Sequence, residues 1–238
     1  MFELALCVNE LNLDYLEKKL PSFREQILSL GGIFNISRNL TNVYFLIATE
    51  TNETEIKAVI ADFICCCVRE SLKKDFIMKR LNVGCKDEIK NETLVEAVVN
   101  FDRVSDDAYV KNRIKLSGEF YIYSFYMFKL AELKNKWEQL IKVTNQSSAF
   151  LKNDDIYLEV VKYLIDGIDM GENATIEKVN NTYVTTTDKS NLLCKIDNKK
   201  NLVNFLIKSN PKKIIIKSID EETLFFISQI FGSRVQQG

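Results

Sequence analysis

Histidine is missing from all 238 residues. That removes the commonest general base near neutral pH, the Ser-His-Asp and Cys-His arrangements, and nearly every catalytic zinc site. Any catalysis would have to rest on carboxylates, Lys, Cys or Tyr. Charge excess is missing too: 32 basic residues face 33 acidic ones, a net charge of −1. The overall electrostatic footprint of a dedicated nucleic-acid binder is therefore not there. Neither G-x-x-x-x-G-K-[ST] nor G-x-G-x-x-G occurs, so nucleotide binding has no motif behind it. Met1 to Asn9 lacks the basic segment and the long apolar run of a secretory signal. The longest apolar run stops at Lys129, well short of the roughly 20 residues of a membrane span. The expectation is a cytoplasmic protein with no membrane span, no metal and no cofactor.

What is present describes a folded chain. Hydrophobic residues make up 46% and charged residues 27%, ordinary for a globular protein and unlike a disordered one. The length suits one large domain or two small ones. Of six cysteines, Cys65, Cys66 and Cys67 are consecutive inside an apolar helical pattern. Successive helical residues point about 100° apart, so these three fan outward and cannot grip one tetrahedral metal together. Cys7, Cys85 and Cys194 form no C-x-x-C pair with them, and all six read as reduced thiols behaving as small hydrophobes.

Periodicity predicts a strand over Phe2 to Val8, then an amphipathic helix over Leu11 to Leu30, with Pro21 inside it and Gly31-Gly32 as its stop. Strands over Ile33 to Arg38 and Val43 to Ala48 follow, joined by a polar turn. The next helix begins near Thr51 or Asn52 and runs toward Phe76 through Ile56, Ile60, Phe63 and Cys67. Asn82 to Asn91 is the best linker. Helices over Glu92 to Phe101 and Asp106 to Lys115 come next. Then Gly118 to Leu133, crowded with aromatic residues, opens a long helix apolar on every face; such a helix must be covered all round. Asp154, taken as N-cap, opens another helix. The last third reads as a hairpin turning at Asn180-Asn181, a helix over Lys199 to Ser209, a strand over Lys212 to Ser218, and a helix capped by Asp220 and ended by Gly232.

The fold class is thus α+β: a small N-terminal α/β (β-α-β-β-α) unit over residues 1–81, a helical centre with a buried aromatic helix, and a hairpin-helix-strand-helix unit, the latter two together spanning 92–238.

Three groups could carry function. Lys73, Lys74, Lys79 and Arg80 form a local basic cluster able to contact nucleic acid, although short charge runs are usually solvated faces. Tyr121, Tyr123 and Tyr126 could line a groove for a partner; the plainer reading buries them. Asp154, Asp155, Glu159 and Lys162 could hold Mg²⁺ at a phosphodiester, against the plainer reading of a capped helix with a surface ion pair.

Over roughly residues 118–235 the chain resembles the YtxC-like family of sporulation proteins of endospore-forming Firmicutes. The likeness rests on the Gly118 to Leu133 block and Leu158 to Asp166, then on the strand from Ala174 to Val179. It ends on Asn201 to Lys217 together with Ile227 to Val235, where the family closes on Ile-Phe-x-x-Arg-Val. Family members place a basic residue after the Phe of the aromatic block; here Phe125 is followed by Tyr126. The resemblance implies a sporulation-linked role and supplies no catalytic residue. The expected function is a non-catalytic protein acting by protein contacts, with Tyr123, Tyr126 and Arg234 as candidate partner contacts and a homo-oligomer left open. A nucleic-acid binder is the alternative, and a Mg²⁺-dependent phosphodiesterase the third reading.

Overall fold

The structure, a computed structural model, describes residues 1–9, 13–81, 87–146, 153–188 and 194–238, and the side chains of its first helix from residue 19 onward. The chain begins β1 (Phe2–Asn9), α1 (Leu13–Ser29), β2 (Ile33–Arg38), β3 (Asn42–Thr49) and α2 (Glu53–Cys67). A π-helical turn, Val68–Lys73, leads into α3 (Lys74–Met78). Next come α4 (Glu88–Asn100), α5 (Arg103–Lys111), β4 (Gly118–Tyr121), α6 (Ile122–Lys129), α7 (Ala131–Gln146) and α8 (Asp154–Asp166). The remainder is β5 (Ala174–Val179), β6 (Thr182–Thr187), β7 (Cys194–Ile196), α9 (Lys199–Ser209), β8 (Ile214–Ser218), α10 (Glu221–Phe231) and β9 (Val235–Gln237). The α+β class and the opening β-α-β-β-α order are as the periodicity predicts.

Two compact units are interleaved along the chain, which differs from the 1–81 and 92–238 division expected from sequence. One unit comprises Met1–Phe76 with Val104–Glu138, the other Ile77–Arg103 with Gln139–Gly238. The reason is β4, which lies beyond the expected boundary yet pairs in parallel with β1, setting Leu6 opposite Phe120. Residues 82–86 of the expected linker lie outside the described residues; Asp87 already caps α4, accepting from the Ile89 and Lys90 N–H groups.

In the first unit the sheet order is β2-β3-β1-β4. β1 and β2 both run antiparallel to β3, so α1 closes a split β-α-β arrangement. Alternation along the strands buries Leu4, Leu6, Phe34, Phe45 and Ile47 on one face, under α1 and α2. Phe23 of α1 stacks on Phe63 of α2 at 4.0 Å between ring centroids, and both rings meet Phe45 edge-on. Pro21 leaves α1 unbroken. Gly31 takes φ +77° to close that helix, a conformation open to glycine at no steric cost. The opposite sheet face carries Glu3, Ala5, Ile33, Asn35, Leu46 and Ala48 in adjoining registers, with Ile33 and Leu46 exposed.

The long aromatic helix is a correction. Gly118–Tyr121 is strand, the helix proper is α6, and Leu130 interrupts it before α7. Nor is it covered all round: Ile122, Phe125 and Tyr126 are buried, whereas Tyr123, Met127 and Phe128 are exposed. Aromatic residues suit strands as well as helices, and a block apolar on every face carries no period to tell the two apart.

In the second unit the sheet order is β7-β6-β5-β8-β9. Asn180 and Asn181 take φ of 48° and 64°, the two left-handed positions a tight β5-β6 turn requires. β8 runs parallel to β5, and β9, which periodicity does not predict, runs parallel to β8. Tyr157, Val161 and Leu164 of α8, Leu202 and Leu206 of α9, and Ile227 and Phe231 of α10 are buried with Ile176, Ile214 and Ile216 of the sheet. Asp220 caps α10 as predicted, accepting from the Thr223 N–H. The cap of α8 is Asn153, with Asp154 already inside the helix.

Candidate docking groove

In the first unit β4 and α6 diverge around a groove of about 570 Å³. Phe120 and Phe125 form its floor, their rings 5.2 Å apart and nearly buried. Tyr121 and Phe128 stand at its rim; Phe128 is 80% exposed, an uncommon state for so large an apolar side chain. Tyr123 and Met127, four residues apart, share one exposed face of α6, and Phe128 is exposed on the side that meets the groove.

Arg113, Lys115 and Lys129 line the same groove, with Glu119 as its acidic member. The Arg113 guanidinium lies 3.4 Å over the Tyr109 ring and bonds Glu132 at 3.1 Å, so its charge is largely committed. Glu119 accepts from the Tyr121 hydroxyl at 2.7 Å, and that bond holds the Tyr121 hydroxyl protonated well above its ordinary range. Lys115 and Lys129 are exposed and have no ion-pair partner among the described residues. Arg113 and Lys115 lie outside the aromatic block and reach it only through the turn before β4.

The residues singled out from sequence fare unequally. Lys73 is a correction: it is 1% exposed and donates to Asp106 Oδ2 at 2.7 Å, so it is no surface for nucleic acid. Trp137 Nε1 donates to the same oxygen at 2.8 Å, and Lys136 lies 3.7 Å from the other carboxylate oxygen. Burial lowers the Lys73 pKa from its ordinary 10.5, and the Asp106 carboxylate opposes that shift. Lys74 is half-buried, and Lys79 and Arg80 are exposed residues of the second unit. The π-helical turn explains Lys73. Its extra residue per turn rotates the buried face, so that Leu72, Lys73, Phe76 and Ile77 point inward where an unbroken α-helical period from Cys67 predicts Ser71 and Lys74.

Tyr126 is a second correction: it is buried, its ring stacked 6.5 Å from that of Trp137, and it offers nothing to a partner. Tyr123 is 49% exposed. Arg234 belongs to the second unit as a tie: its Nη1 donates to Asn210 Oδ1 at 2.7 Å, while Asn210 Nδ2 donates to the Ile165 and Ile168 carbonyls. The Arg of the closing Ile-Phe-x-x-Arg-Val thus secures the end of the chain to α8 and α9.

Asp154, Asp155 and Glu159 are exposed along α8, with Asp154 bonded to Lys90 at 2.7 Å. They do not converge in a cleft, as a metal-dependent hydrolase would need. Among the described residues no three acidic or cysteine side chains are placed to share a metal ion. Burial pushes the Cys65 thiol up to about 12 and raises Cys66 and Cys67 as well, which leaves them poor nucleophiles. Cys85 lies outside the described residues. No described helix is long and apolar enough to cross a membrane.

No protein-family model, no curated protein and no solved structure matches this chain.

Proposed function

We propose that the chain is a non-catalytic interaction protein that binds another protein through the β4–α6 strip of its first unit. The observation that carries this reading is the exposure of Tyr121 and Phe128 at the rim of a groove with an apolar floor, with Tyr123 and Met127 exposed elsewhere on α6. Large exposed apolar side chains gathered in one place mark contact surfaces, and aromatic and Met residues dominate the energetics of such contacts. The YtxC-like resemblance adds the expectation of a role in sporulation, and a cytoplasmic location goes with it. Capture from sporulating cells with the wild-type chain and with Phe128→Glu tests the reading. A protein retained by the first and lost with the second supports it; an identical capture profile contradicts it.

A second reading is nucleic-acid binding at the same strip. Tyr121 and Phe128 beside Arg113, Lys115 and Lys129 favour it, since single strands are held by stacking plus cations.

A further inference from the structure

We infer that the β4–α6 groove receives an extended, acidic segment of a partner protein, which adds as a further strand along the outer edge of β4. This rests on the interaction reading above and specifies its partner chemistry.

The sheet ends at β4, whose outer edge pairs with no described strand. An unpaired edge presents a row of N–H and C=O groups that an incoming strand can take up. Four residues of β4 run roughly 13 Å, enough to register a short segment. Side chains of an added strand alternate, so every second one would point to the floor made by Phe120 and Phe125, beside Phe128 at the rim. A volume of about 570 Å³ falls within the ~300–1,000 Å³ of ligand-binding clefts.

Charge selects the occupant. Arg113 is paired with Glu132; Glu119, which accepts from the neutral Tyr121 hydroxyl, keeps its negative charge but is outnumbered by the unpaired Lys115 and Lys129. Both are positive, so carboxylates flanking an apolar residue complement them. A second cavity on this sheet, about 330 Å³ on its open face, has Glu3 as its only charged lining residue and offers nothing of the kind. Nucleic acid is less well served, because only Tyr121 and Phe128 offer exposed rings, the floor rings Phe120 and Phe125 being buried, and Glu119 stands in the wall against phosphates.

The test is fluorescence anisotropy on the full chain with a labelled peptide, acetyl-Asp-Ile-Asp-Phe-Glu-Val-Glu-amide. Its backbone N-methylated form, a form with every acid replaced by Lys, and a ten-nucleotide oligothymidine serve as comparisons. The acidic peptide should bind, the N-methylated and Lys forms should not, and Lys115→Glu/Lys129→Glu should weaken binding roughly tenfold. Circular dichroism and the milder Lys115→Gln/Lys129→Gln variant establish that the fold survives. Binding untouched by N-methylation, or by both double variants, overturns the inference. So does preferential binding of oligothymidine, or self-association that the double variants abolish. No peptide binding, with capture still lost on Phe128→Glu, overturns this inference alone and leaves the interaction reading standing.

Discussion

Replacing Asp106 by Leu should destabilise the first unit by about 3–5 kcal/mol, the cost of leaving one partner of a buried ion pair without the other. Asp106 accepts from both Lys73 and Trp137, so its loss removes the opposite charge from an ammonium group that is 1% exposed and the acceptor from an indole N–H that is itself buried. Against the 5–15 kcal/mol that holds a domain together, this is a large share. The assay is urea unfolding followed by fluorescence of Trp137, the only tryptophan of the chain, which belongs to the first unit and reports on it directly. Lys73→Met should cost a similar amount, whereas the double variant should recover at least ~2 kcal/mol of the summed loss, because two apolar groups replace the pair. The pH dependence has a definite sign. The folded-state pKa of Lys73 lies below its ordinary 10.5, so the native state sheds this proton before the unfolded chain does. Stability from this group therefore rises with pH across the interval between the two values. Without Asp106 the depression deepens, and the penalty of Asp106→Leu should shrink as pH climbs from neutrality toward 10.5. A loss below about 1 kcal/mol, or strictly additive single and double variants, would refute the reasoning.

Three further outcomes follow from particular contacts. A Cβ on Gly171 would lie 2.1 Å from the Ser209 carbonyl oxygen, and backbone cannot yield as a side chain can. Gly171→Ala should cost the second unit about 1–3 kcal/mol or more, read from its thermal unfolding by circular dichroism. Asp220 is held well below its ordinary 3.8 chiefly by Lys178, then by Thr223. Its contribution is complete above that ordinary value and is lost as pH falls through the folded-state one. Asp220→Asn keeps a capping side chain and should flatten the acid limb of a melting-temperature profile. Phe128→Glu alters an exposed side chain and should leave Trp137-monitored stability within about 0.5 kcal/mol, which keeps capture experiments with it interpretable.

Much of the fold is legible in the sequence because local chemistry and tertiary role agree. Alternation gives β1 and β3, the Asn180-Asn181 pair gives its hairpin, and Asp220, Asn210 and Gly232 mark helix ends at the positions where the structure uses them. β4 is different. Four residues lying directly before a helix carry no period of their own, and their strand character comes from pairing with β1 more than a hundred residues away. Lys73 is different again, because a π-helical turn shifts the inward face without any sequence mark, and its partner Asp106 lies on another helix. The groove combines both difficulties: Lys115, Phe120 and Phe128 come together only once β4 has joined the sheet and α6 has turned away from it. What the aromatic block does announce is its concentration of rings, half of which prove to be core and half surface.

The central claim is that the exposed β4–α6 strip is the surface by which this protein meets another. Hydrogen–deuterium exchange of the full chain, alone and with the protein it captures, tests it most directly. The account predicts that binding slows exchange over Gly118 to Lys129, strongest at the outer-edge amides of β4. Protection confined to other segments, with these amides unchanged, would contradict it.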